Sequence, residues 1–217
     1  MDADPRPLPA VVLAAGASSR MSRPKALLDA RGRPFVGRIA DTLRASGLDP
    51  VLVVTRAELA GAVGDAAPHA RVLVNPDPDA GQLSSLRIGL SAAVPAPAAL
   101  VTLVDLPLVR PDTIASLLRA WRASQSPLVR PSCRGRHGHP VIFGAGVIDA
   151  LLAPGLDLQA GAKPVVRRFA SRSISLDTDD EGTIRDVDTP DDYEGLFGGS
   201  TRSSLTNSGE TPNRPSR

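Results

Sequence analysis

At 217 residues, with 42% apolar and 22% charged side chains, the chain can bury the core of one domain, which excludes a disordered or fibrous polymer. Its formal charge of +2 rests on residues 199–217, where Arg202, Arg214 and Arg217 outnumber Glu210. The remainder is near neutral and has no Lys/Arg run interleaved with aromatics, which excludes a nucleic-acid partner.

The lone Cys133 excludes an internal disulfide. The apolar stretch Leu8 to Ala15 is too short to span a bilayer, and Asp2 and Asp4 precede it where a secretory signal would be basic. A cytoplasmic protein with no membrane partner is expected. With an aromatic share of 3%, Val, Leu, Ile and Ala must fill the interior.

In chain order, residues 1–9 read as an N-terminal extension. Val11 to Ala14 predicts a strand, Val36 to Ser46 a helix stopped by Gly47, and Val51 to Thr55 a second strand. Glu58 to Ala66 predicts a helix, Val72 to Val74 a strand, Ser84 to Ala93 a helix and Ala99 to Val104 a strand. Pro111 opens a further helix over Asp112 to Ser124. The strand runs are aliphatic without polar alternation, as in parallel strands covered on both faces. Farther on, Val141 to Phe143 and Arg172 to Leu176 read as strands, and Gly146 to Leu152 and Lys163 to Ala170 as helices. A domain over 10–197 is followed by a polar, disordered tail over 198–217.

Alternation of strand and helix argues for an α/β domain with a mostly parallel sheet. Ligands of such sheets bind beyond the carboxyl ends of the strands. Gly16 to Lys25, Asn75 to Gly81 and Asp105 to Pro107 each follow a strand and are therefore expected on one rim.

The first of these segments has the look of an anion loop. Ala14, Ala15, Gly16 and Ala17 let backbone N–H groups approach a ligand, Ser18 and Ser19 add hydroxyls, and Arg20 and Lys25 add two cations suited to a polyphosphate. A small-residue turn with two solvated cations is the plainer alternative. The segment lacks the Gly-Lys-Ser/Thr ending of the P-loop and the three glycines of the dinucleotide fingerprint.

Asp105 lies within the run LVTLVDLPLV at the end of a buried strand, where a carboxylate is costly unless a cation pairs with it; an N-cap or turn aspartate is the competing reading. In RDVDTPDDY, Asp186 and Asp188 fall on one face of an extended segment, and Thr189 and Pro190 look like a helix cap and first position. Asp191 and Asp192 then belong to the first helical turn and are structural. His139 is either a hydrogen-bonded structural residue or a substrate contact, the flanking glycines suggesting close ligand approach. His69 and His137 have no role, and neither a Ser-His-Asp arrangement nor a Cys/His metal spacing is present.

The segment LAAGASSRMSRPKALL resembles the signature of the MobA-like nucleotidyltransferases, and more closely that of their molybdenum cofactor cytidylyltransferase branch. GQLSSLRIGL, VDLPLV, GHPVIF and DVDTPDDY resemble later segments of that branch in the same order. The resemblance implies a Rossmann-like three-layer α/β/α fold with a mixed central sheet. It also implies transfer of CMP from CTP, or of another nucleotide from another NTP, to a phosphorylated acceptor of the molybdopterin type, with release of pyrophosphate. Leu13, Ala14, Ala15, Gly16, Ser18, Arg20 and Lys25 would hold the nucleotide, with Asn75, Gly81 and Ser85 near base or ribose. Asp105 with Asp188, or alternatively Asp186, would bind Mg2+. A molybdenum hydroxylase would be the protein partner, and a cofactor-binding module without catalysis is the non-enzymatic alternative. Ser22 departs from the glycine usual in this signature.

Overall fold

The computed structural model describes residues 7–21 and 23–198, so the expectations for Ser22 and for the tail after Gly198 lie outside the described residues. Strand β1 (Ala10–Leu13) is buried throughout and pairs in parallel with β2 (Val51–Arg56) and β4 (Ala98–Leu103). Strand β3 (Arg71–Asn75) extends the parallel half beyond β2.

On the other side of β4 the direction reverses. Strand β7 (Val141–Gly144) runs antiparallel to β4 and to β5 (Leu128–Cys133), with Val101 opposite Val141 and Ala98 opposite Gly144. Strand β5 also pairs antiparallel with the short β6 (Arg136–His137) and in parallel with β8 (Ile174–Asp177). Among the described residues the eight strands form one sheet in the order β3-β2-β1-β4-β7-β5-β6, with β8 beside β5. The sheet is mixed and mostly parallel, as expected.

Successive side chains of β1 enter two separate cores, as a doubly covered strand requires. Ala10 and Val12 face α1 (Phe35–Ala45), α2 (Ala60–Ala66) and α4 (Pro111–Ser124). Val11 and Leu13 face α3 (Gln82–Ala93), α5 (Ala145–Leu152) and α6 (Lys163–Arg168). The last helix, α7 (Pro190–Phe197), packs on the α1 side, where Phe35, Tyr193 and Phe197 form an aromatic cluster with ring centroids 5.3–6.2 Å apart. No helix among the described residues is long and apolar enough to cross a membrane.

Two expectations change. Residues 7–9 are integral to the fold, because Leu8 is buried and the Leu8 and Pro9 carbonyls accept from Asp49 and Leu100 N–H at 3.0 Å each. Strand β5 was not foreseen, since Pro131 within a run ordinarily argues against a strand. Here Pro131 has no N–H to lose, and its carbonyl accepts from Gly138 N–H at 3.0 Å.

Candidate active site

The carboxyl ends of β1, β2, β3, β4, β5 and β8 define one rim, and the antiparallel β7 brings its beginning, with His139 just before it, to the same rim. The loop after β1 is held from three sides. Ser18 takes a left-handed conformation (φ 50°), and its Oγ accepts from Lys25 N–H at 3.1 Å. Its carbonyl accepts from Met21 N–H at 2.8 Å. Arg56, from the end of β2, donates to the Ala15 carbonyl at 2.9 Å and pairs with Asp79 at 2.7 Å, tying this loop to the one after β3. Leu13, Ala14 and Ala15 are buried, whereas Gly16 is exposed and a Cβ there would meet no protein atom within 4 Å. A cleft of about 280 Å3 opens between Gly16, Ser18 and Pro24 on one wall and Arg56 and Leu59 on the other.

The structure brings Arg20, Lys25, Asp105 and Asp188 together. The Lys25 ammonium bonds Asp188 and lies 3.4 Å from Asp105 Oδ2, while exposed Arg20 reaches Asp188 at 3.0 Å. Lys25 is only 13% exposed in its side chain. The second Asp105 oxygen, Oδ1, is buried with no hydrogen-bond partner among the described residues. Burial raises the Asp105 pKa, against the lowering influence of Lys25. For Asp188 the order is reversed: the hydrogen bond from Lys25 lowers its pKa more than burial raises it.

Local folding explains why these carboxylates meet. Val187 is buried and donates to the Asp105 carbonyl at 3.0 Å, which stitches residues 186–188 alongside the end of β4. Asp186 and Asp188 then flank Val187 on the outer face, and Asp186 is exposed. Thr189 and Asp192 form the capping box of α7, and the Asp192 carboxylate also accepts from Asp188 N–H at 3.1 Å. Thus the helix cap aims Asp188, and the structural assignment of Asp192 holds. From α1, Arg38 donates to the Pro107 carbonyl at 2.9 Å and steadies the turn after Asp105.

The remaining site residues lie differently. Asn75 is 2% exposed, donates to Ser84 and Ser85 Oγ at 2.8 Å each, and accepts from Asp77 N–H at 2.9 Å. Its side chain and the buried Ser85 therefore brace the loop from within. Gly81 adopts φ 104° and faces the Leu158 carbonyl, which a Cβ would meet at 3.0 Å. Of the three, Asn75 lines a second cleft of about 440 Å3, together with Asp77, Ser84, Arg87 and Leu158, between α3 and the loop after α5.

His139 is half-buried, and desolvation lowers its pKa to about 4, so it is neutral at pH 7. Its N–H donates to the Thr183 carbonyl at 2.9 Å. Gly138 faces that same carbonyl, which an added Cβ would meet at 2.2 Å. The glycine before His139 is thus required by backbone packing, which corrects the inference of close ligand approach drawn from it.

Three residues were missed by sequence reasoning: Arg56, Arg38 and Asp180. Asp180 is 4% exposed and accepts from Arg110 N–H at 2.8 Å, Thr113 Oγ1 at 2.7 Å and Gly182 N–H at 3.0 Å, pinning residues 178–183 to the start of α4. All three act on backbone or side-chain groups far away in sequence, for which spacing gives no signal.

Among the described residues no group of three or more His, Cys, Asp or Glu is arranged to hold a metal. The two carboxylates do fit a hard divalent cation such as Mg2+, which takes one or two carboxylates and completes its shell with substrate phosphates and water. Asp105 Oδ1, unpaired and buried, is a donor suited to such an ion.

This arrangement of a small-residue loop with two cations opposite two carboxylates on an α/β rim defines the class of protein. Residues 10–174 match the MobA-like NTP transferase domain, and the chain belongs to that nucleotidyltransferase family. It is similar to nicotine blue oxidoreductase of Paenarthrobacter nicotinovorans, 37% identical over 82% of this chain and 91% of the relative. It is also similar to the probable molybdenum cofactor guanylyltransferase of Opitutus terrae, 29% identical over 89% of this chain and 96% of the relative. Among solved structures, Rv0371c of Mycobacterium tuberculosis H37Rv superposes with a TM-score of 0.74 at 30% identity, covering 91% of this chain and 100% of that one. The same protein has been crystallised in complex with manganese, with a TM-score of 0.71.

Proposed function

We propose that this enzyme transfers a nucleoside monophosphate from an NTP to the terminal phosphate of a molybdopterin-type cofactor, releasing pyrophosphate in the cytoplasm with the help of a divalent cation. The observation that carries the reading is the pairing of Lys25 with Asp105 and Asp188 at the mouth of the β1 loop. Such a pairing lines up cationic and metal-holding groups along one polyphosphate path.

The chain's own residues supply binding and alignment. The acceptor phosphate is already an anionic nucleophile, so no general base is needed. The open backbone face at Gly16 lets the triphosphate approach, and Ser18 holds the turn that carries Lys25. Arg20 and Lys25 stabilise charge on the α-phosphate and the departing pyrophosphate. Asp105 and Asp188 would hold Mg2+, with Asp186 as the alternative to Asp188, and the ion would supply charge neutralisation across the phosphates. Asn75, Gly81 and Ser85 would lie near base and ribose, and neutral His139 would contact the acceptor.

Two base preferences are supported by different observations. The motif resemblance favours CTP, while relatives named as molybdenum cofactor guanylyltransferases favour GTP. Pyrophosphate release with each NTP in turn, with and without molybdenum cofactor, distinguishes them: cofactor-dependent release with CTP or with GTP names the base. Absence of release with every NTP overturns the proposal, and in that case a carrier serving a molybdenum hydroxylase would bind the cofactor without turnover. The oxidoreductase name of another relative makes reduction of a dye substrate the further control in the same assay.

A further inference from the structure

The chain carries 25 basic residues, yet only two of them, Lys25 and Lys163, are lysines. One of the two lies largely buried between Asp105 and Asp188 at the centre of the site. An arginine there would form a planar, two-point fork with a carboxylate, whereas an ammonium is a compact charge on a flexible stem that can withdraw from one partner and reach another. The positions of the three groups are set independently of their mutual attraction. Lys25 is fixed through its backbone to Ser18, Asp105 through its carbonyl to Val187, and Asp188 through its N–H to Asp192. The carboxylates therefore remain in place when the ammonium moves.

We propose that Lys25 is an exchangeable counter-cation, which neutralises Asp105 and Asp188 in the free protein and is displaced toward the NTP phosphates when a divalent cation takes its place. This inference rests on the metal-dependent reading of the site and adds an order to it. Two cations cannot share the gap between these carboxylates without strong repulsion in a partly buried setting. The free protein accordingly binds the ion weakly, and the NTP, by offering the ammonium new partners, admits it. The buried, unpaired Asp105 Oδ1 is the donor that the exchange satisfies, since Lys25 approaches only the other oxygen.

The test uses the intact protein without nucleotide and Mn2+ as the probe. Binding of Mn2+ is measured by its electron paramagnetic resonance signal in the wild type, Lys25→Met and Asp105→Asn. Trace acylation followed by mass spectrometry reads the Lys25 to Lys163 labelling ratio, with Lys163 as the internal standard. Lys25→Met is expected to bind Mn2+ at least about tenfold more tightly than the wild type, in line with removal of one nearby positive charge. Because the wild type binds the ion weakly without nucleotide, its labelling ratio is expected to rise several-fold only at Mn2+ concentrations high enough to occupy the site. If Lys25→Met binds no more tightly and the ratio stays constant while Asp105→Asn loses Mn2+, the exchange is overturned and the metal site stands. If Asp105→Asn binds Mn2+ as the wild type does, the metal site itself is overturned. Should Lys25→Met not fold, the wild-type labelling ratio decides.

Discussion

Asp105 has one oxygen facing Lys25 and one with no partner, so the isosteric Asp105→Asn removes the charge without disturbing its backbone link to Val187. Its kcat should fall at least about 100-fold, the range seen when one charge-stabilising group is lost, with a nearly unchanged melting temperature. Pyrophosphate release and thermal unfolding measure the two effects. His139 makes a different prediction. Its folded pKa, about 4, lies below the ordinary value of about 6.5, so the unfolded chain binds more protons in that interval and stability falls as pH drops from about 6.5 to about 4. Over the whole interval the loss approaches about 3 to 3.5 kcal/mol, of which at most about 2 kcal/mol falls between pH 7 and pH 5, and His139→Gln should remove that share from the difference in denaturant unfolding between the two pH values. Asp105, Arg20 and Lys25 were legible in sequence because each follows a strand end within a dense motif. Their pairing was not, since Lys25 and Asp105 are 80 residues apart and Lys25 and Asp188 are 163 apart. Only the folded sheet brings them together.

Short caps and turns decide where the larger elements deliver these residues. The α7 capping box was readable from Thr189 and Pro190, and it also orients Asp188, a consequence that the motif alone does not express. Asp180 was not readable: its three partners sit on two different segments, and nothing in TDDEG distinguishes it from the exposed Asp179 beside it. Asp180→Ala leaves the Arg110 N–H and the Thr113 hydroxyl without their acceptor and should destabilise the fold by about 2–4 kcal/mol, measured by chemical denaturation. Asp179→Ala, on the exposed neighbour, should leave the denaturation midpoint nearly unchanged, as is usual when a surface ion pair is removed. Strand β5 escaped detection for a comparable reason, because Pro131 weakens the local pattern while the pairing with β8, β7 and β6 supplies the stability. Tertiary pairing here outweighs local preference.

At the scale of the molecule, the proposed NTP and cation would join groups from the loop after β1, the end of β4 and the segment before α7, so their binding should stabilise the whole domain. At 100 times the dissociation constant the gain is about 2.7 kcal/mol, seen as a rise in melting temperature that a chelator reverses together with pyrophosphate release. The parallel half of the sheet was foreseen strand by strand from its unbroken aliphatic runs. The reversal at β7 was not, since direction leaves no mark on a four-residue apolar strand. That reversal bears on how the chain can be lengthened. In an all-parallel sheet, the connections leading into strands lie away from the ligand, but here the turn at Arg134 and Gly135 leads toward β7 on the ligand side. A short Gly/Ser insertion in that turn should alter KM for the acceptor, while the same insertion at the exposed turn between Pro95 and Pro97, at the opposite end, should leave the kinetics unchanged.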